Sequence, residues 1–131
     1  MYTRSTISAS VTPIILGGTP MAYKTATHLF FRYGLISNIF ATSQTLASRL
    51  VFFTRFNPLP ESRNDCFALM SLERFYVEQG ERTYLLIPAD RDQEDFVKRN
   101  SDALETKFIL RHPKDVMCDG DIFPLAPKKG F

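Results

Sequence analysis

Apolar residues in this chain gather into short runs that do not alternate with polar ones. The runs are Ile14-Ile15-Leu16, Leu35 to Phe40 with Ser37-Asn38 inside it, Leu50 to Phe53, Tyr84 to Ile87 and Phe108-Ile109-Leu110. Such runs, bounded by Gly, Pro or polar clusters, predict strands covered on both faces. Between them the period changes to that of a helix. Ala22, Ala26, Leu29, Phe30 and Tyr33 recur at helical spacing, and Gly34 is a natural stop. Leu69, Leu72 and Tyr76 make a second stripe, with Cys66, Met70 and Val77 beside it. That predicts a helix over 63–79, capped by Asn64 or Asp65 and ended by Gly80. Asn57-Pro58-Leu59-Pro60 is expected to break regular structure. A short helix follows Asp90 and runs through Arg99, and Asn100-Ser101 reads as a fresh cap.

The order is β-α-β-(β)-α-β-α-β. Right-handed crossovers then give an α/β fold, an open and mostly parallel sheet with helices on both faces, Rossmann-like. Ile14–Leu16 is expected in the centre, with Leu85–Ile87 beside or near it. Residues 1–11 read as a flexible leader, 12–112 as the α/β domain, and 113–131 as an irregular tail or linker. Nothing repeats internally.

Composition narrows the class. The chain has 131 residues, enough for one domain with one core, and 44% are hydrophobic, which argues against disorder. The longest uncharged stretch, Ser5 to Tyr23, carries two prolines and two glycines, so it does not read as a membrane span. Met1 to Val11 lacks the apolar core of a signal peptide. Cys66 and Cys118 are far apart and form no CxxC, which argues against zinc and fits a reducing, cytoplasmic setting. Cys66 lies in an apolar helical pattern and is expected to be a buried thiol. All 14 acidic residues lie from Glu61 onward, whereas residues 1–60 carry five bases. These bases are dispersed, unlike a nucleic-acid face.

The candidate chemistry centres on Gly17-Gly18-Thr19-Pro20. Two glycines allow a sharp turn, Thr19 suits the N-cap, and Pro20 suits the first helical position. Amides at a helix start attract anions. The alternative is a tight strand-to-helix turn with no ligand. The spacing is not G-x-G-x-x-G, and no acid precedes Glu61 to hold a ribose, so a dinucleotide is not expected. There is no Walker loop either. Asp90, Asp92, Glu94 and Asp95 fail as an EF-hand, since Asp95 takes the glycine position, but they suit a helix start. His28 and His112 have no catalytic motif around them and read as structural or surface residues. Arg63, after the Pro-rich loop, is either solvated or placed to reach a carboxylate or phosphate.

Two segments resemble the N-terminal part of ATP-grasp carboxylate–amine ligases, with the D-aspartate-ligase-like subgroup nearest. One is residues 13–27 followed by Tyr33 to Phe40. The other is Tyr84-Leu85-Leu86-Ile87-Pro88-Ala89-Asp90, followed by Phe96-Val97, Asn100, Leu104 and Phe108-Ile109-Leu110. The resemblance spans about residues 13–112. It implies a pre-ATP-grasp domain that lends Gly17, Gly18, Thr19, Arg63 and Asp90 to the substrate side of a cleft. It implies that ATP and Mg²⁺ bind in other domains of the same longer protein, that the chain alone has no catalytic residues, and that its ligand is a small carboxylate or amino acid. After Lys114 the sequence departs from the family.

The expectation is therefore a non-catalytic ligase domain, with a stand-alone Rossmann-like binding or interaction module as the rival. Neither nucleic acid nor membrane is an expected partner. Phe52, Phe53, Phe56, Phe123, Leu125 and Phe131 suggest an apolar face and self-association into a homo-oligomer.

Overall fold

The computed structural model describes residues 11–43, 52–59 and 64–117. The elements are β1 (Val11–Leu16), α1 (Pro20–Tyr33), β2 (Ser37–Ala41), β3 (Thr54–Pro58), α2 (Asp65–Gln79), β4 (Thr83–Pro88), α3 (Arg91–Arg99), α4 (Ser101–Leu104), β5 (Ile109–Leu110) and α5 (Pro113–Met117). The five strands form one parallel sheet in the order β3-β2-β1-β4-β5. From β1 the chain moves outward through β2 to β3, then crosses back to β4 and β5. This is the open α/β architecture expected, with β1 central and β4 beside it.

Both faces of the sheet are covered, which is why the central runs do not alternate. Ile15, Ile39, Leu85 and Ile87 pack with Ala22, Ala26 and Leu29 of α1 and with Val116 of α5. Ile14, Leu16, Phe40, Tyr84 and Leu86 point the other way, against Leu72 and Phe75 of α2 and against Phe96, Val97 and Leu104 of α3 and α4. Strand side chains alternate faces, so each run supplies both cores. Tyr84 is buried, its hydroxyl donates to Gly80 O at 2.6 Å, and desolvation pushes its pKa up.

β1 begins at Val11, earlier than the apolar run, and so includes Pro13. A proline in a central strand is tolerated here for a local reason. Gly17 N–H donates to Phe40 O, so the odd-numbered residues of β1 turn their backbone groups toward β2. The β1–β2 register begins at Ile14 opposite Asn38, so the missing Pro13 N–H falls below the start of β2. No ladder bond is lost.

The third strand is displaced from its expected position. Leu50 and Val51 lie outside the described residues, and Phe52 and Phe53 form a turn. The strand is Thr54–Pro58, so Asn57 and Pro58 pair with Phe40 and Ala41 where a break was expected. β3 is a half-exposed edge strand, and an edge tolerates proline. Phe53 stacks on Phe30 of α1 at 4.8 Å between ring centroids, and its carbonyl accepts from Ser37 N–H.

Two helical expectations also change. Cys66 is exposed, as are Met70 and Val77, because α2 buries only the Leu72–Phe75 side against the sheet. Pro113 does not open an irregular tail. It starts α5, whose Val116 is fully buried against α1. Residues 1–10 and 118–131, including Cys118, lie outside the described residues. Among the described residues, no helix is long and apolar enough to cross a membrane.

The caps follow local chemistry. Asn64 Oδ1 accepts from Cys66 N–H at 2.9 Å at the start of α2. Gly34, at φ +73°, ends α1 with its N–H on Phe30 O. Asp65 ties the start of α2 to the end of α3. Its two oxygens accept from Arg99 Nε and Nη2, both at 3.0 Å, and Asn100 Nδ2 adds a third bond at 2.8 Å. The Arg99 fork, then Asn100, hold the Asp65 carboxyl below its ordinary range.

The sign of the pH effect follows from that depression. The stability Asp65 supplies is present in full well above pH 3.8, and is lost as pH falls from there through the lower folded-state value. Asp65→Asn should therefore lower stability slightly at neutral pH, because the pair is exposed. The difference from the parent should vanish at strongly acid pH, measured by urea unfolding at several pH values.

Candidate functional site

Parallel strands deliver their carboxyl ends to one edge. β1 ends into Gly17–Thr19, β4 into Ala89 and Asp90, and β5 into Arg111 and His112. The direction of winding reverses between β1 and β4, so no crossover covers the gap between their ends. Open α/β sheets bind ligands in that crevice.

Short bonds hold the two turns together. Ala89 N–H donates to Leu16 O at 2.8 Å, and Gly17 N–H donates to Phe40 O at 2.8 Å. Thr19 stands at the N-cap with extended backbone, but its side chain does not cap α1. The hydroxyl donates across the crevice to Ala89 O at 3.0 Å. At the helix start, the Ala22 N–H is used, donating to Thr19 O at 3.0 Å. The N–H groups of Gly18, Thr19 and Met21 have no backbone acceptor among the described residues.

Asp90 meets this turn from β4. Its Oδ1 accepts from Gln93 N–H at 2.8 Å and caps α3. Its Oδ2 faces Gly17, and a Cβ built on Gly17 would lie 2.5 Å from that oxygen. Gly17 also has φ +112°, so the backbone favours glycine there, and any side chain would force the Asp90 carboxylate to shift. Gly18 is confined less severely: a Cβ there would sit 3.3 Å from Ala41 Cβ and 3.5 Å from Ser43 O. The turn is thus a set of open amides with a carboxylate against it. That arrangement suits a ligand carrying both an anionic group and an ammonium or hydroxyl group.

Toward β5 the crevice widens into an open hollow of about 610 Å³, running from Met21 and Asp90 past Glu94 and Lys98 to His112 and Lys114. Glu94 is its charged centre, with Lys98 Nζ at 3.4 Å and His112 Nδ1 at 3.7 Å. Arg111, at the end of β5, is buried; its Nη1 donates to Leu110 O, and desolvation lowers its pKa.

Of the residues named from sequence, Gly17, Gly18, Thr19 and Asp90 come together at this edge. Arg63 lies outside the described residues. Asp92 and Glu94 stand in the first turn of α3, as helix electrostatics favours, while Glu94 also faces His112. The pairing of Glu94 with His112 had no sequence signal, because they are on different elements. His28 does not line the hollow; its Nε2 is buried without a hydrogen-bond partner among the described residues.

The geometry separates the two glycines. Gly17→Ala should destabilise the fold by more than about 1 kcal/mol, since it adds strain and displaces Asp90. Gly18→Ala, with no positive φ, should cost clearly less. Urea midpoints of the two variants check this, and equal losses would contradict the close approach of Asp90.

Comparison with models of protein families, with curated proteins and with solved structures finds no match for this chain.

Proposed function

We propose that this chain is the substrate-side domain of an ATP-grasp carboxylate–amine ligase, and that the turn at Gly17–Thr19 with Asp90 receives an amino acid. The supporting observation is the Asp90 carboxylate set against a glycine turn whose neighbouring amides are open. A zwitterion meets both demands at once. Its carboxylate takes the N–H groups of Gly18, Thr19 and Met21, and its ammonium takes Asp90 Oδ2. A second carboxylate on a dicarboxylic amino acid would remain free for activation as an acyl phosphate.

Among the described residues, no three His, Cys, Asp or Glu side chains are grouped to hold a metal ion. On this reading ATP and Mg²⁺ are held by the ATP-grasp domains, and this chain binds and orients substrate without catalysing. The strand order, with its crevice between β1 and β4, and the resemblance over residues 13–112 support the same reading.

Amide chemical-shift titration with D- and L-aspartate tests it. Shifts should appear at Gly17–Met21 and Asp90, with weak affinity in the isolated chain. Asp90→Asn keeps a competent cap for α3 and removes the charge. It should weaken aspartate binding about tenfold. Shifts confined to other residues, or an unchanged titration in Asp90→Asn, would refute the site.

A ligase domain also docks on its neighbours, and the reading expects an apolar face. Phe31 and Phe52 are 66% and 78% exposed, and their ring centroids lie 5.3 and 5.2 Å from that of Phe30. Phe53, expected in the contact, is buried, Phe56 is half-buried, and Phe123, Leu125 and Phe131 lie outside the described residues. Sedimentation velocity should show concentration-dependent association that Phe52→Ser reduces. A monomer at every concentration would remove this part of the proposal.

A further inference from the structure

The opposite edge of the sheet holds a second hollow, of about 250 Å³. It is lined by Thr12, Ile36, Asn38, Arg55, Gln79 and Arg82, among others, and among the described residues no carboxylate side chain lines it. Strand register explains the convergence. Arg55 on β3 is opposite Asn38 on β2, and Asn38 is opposite Ile14 on β1. Thr12 precedes Ile14 by two residues, so it shares that face, and it pairs with Tyr84 on β4. Arg82 precedes Tyr84 by two residues and leads into the same face. α2 covers this face and ends at Gln79, directly above the hollow.

The polar groups here are not consumed by the fold. Thr12 is 7% exposed, and its hydroxyl has no hydrogen-bond partner among the described residues. Asn38 is equally buried, and its Nδ2 makes only a long bond, 3.4 Å, to Pro13 O. Arg55 and Arg82 form no ion pair among the described residues, whereas Arg99, Lys98 and Lys107 each have a carboxylate partner. At the end of α2, Tyr76 O accepts from Gly80 N–H, and Gly80 O accepts from the Tyr84 hydroxyl. Two arginines therefore line a hollow together with the largely buried residues Thr12 and Asn38.

We propose that this amino-terminal edge is a binding site for a small oxyanion, the phosphate or carboxylate group of a small molecule, held between Arg55 and Arg82. Planar guanidinium forks match both groups bidentately, and Thr12 Oγ1 supplies a third donor from below. The site is independent of the amino-acid reading, since it lies at the other end of the strands and shares no residue with it.

Titration of the whole chain with inorganic phosphate and, separately, with acetate tests the proposal, at constant ionic strength set with chloride. Saturable amide shifts should appear at Thr12, Asn38, Arg55 and Arg82. Tighter binding of phosphate assigns a phosphate group, and tighter binding of acetate assigns a carboxylate. Arg55→Gln and Arg82→Gln should each weaken binding about tenfold. Both side chains are exposed, so a thermal melt should show the variants folded. Thr12→Val, close to isosteric, should weaken binding with the arginines intact. Asp90→Asn should leave this titration unchanged, so that failure at one edge is distinguishable from failure at the other. Absence of saturable shifts with either anion, or an unchanged titration in the Arg55→Gln/Arg82→Gln double variant, would overturn it.

Discussion

The pairing of β1 with β4 is the contact on which the rest of the molecule depends. Six residues of β1, Val11 to Leu16, match six of β4, Thr83 to Pro88, in unbroken parallel register. Closing so long a loop costs chain entropy before any contact is made. Burial offsets that cost: Ile14, Ile15, Leu85, Leu86 and Ile87 are all removed from solvent, and each strand feeds both cores. Removing one such side chain to Ala would cost roughly 2–5 kcal/mol. The same pairing fixes where Gly17 meets Asp90 and where Thr19 reaches Ala89 O.

A sheet covered on both faces has little room for chemistry along its length. The polar groups with freedom to act are at the strand ends, where ladders stop. At the carboxyl edge these are the amides after Gly17, the Asp90 carboxylate and the Glu94–His112–Lys98 group. At the amino edge they are Arg55, Arg82 and the buried Thr12 and Asn38. The two edges differ in character. A carboxylate presses on the glycine turn at one, while the other is lined by two arginines and, among the described residues, by no carboxylate side chain.

The side elements follow from what the central pair leaves uncovered. α1 and α5 close one face, and α2, α3 and α4 close the other. Asp65 joins the start of α2 to the end of α3 by accepting from Arg99 and Asn100, which holds two helices on the same face in register. β3 completes the sheet as an edge and needs burial on fewer sides, so it accepts Arg55, Asn57 and Pro58.

Much of this was legible in the sequence. The unbroken runs at Ile14–Leu16 and Leu85–Ile87, the helical stripe from Ala22 to Tyr33, and the stops at Gly34 and Gly80 depend on residues within about one turn or strand of each other. They determine the element types, and with right-handed crossovers they determine the open parallel sheet. β3 was not legible, because an edge strand of Thr-Arg-Phe-Asn-Pro carries no buried-strand pattern while the denser Phe52-Phe53 run beside it becomes a turn. The exposure of Cys66 was hidden for a related reason: a stripe shows that a helix has an apolar side but not how much of it the sheet covers. The direction of the Thr19 hydroxyl, the approach of Asp90 to Gly17, the Glu94–His112 contact and the convergence of Arg55 with Arg82 were decided by tertiary structure alone. Each joins groups on different strands or helices, and only the folded arrangement of those elements brings the groups to one place.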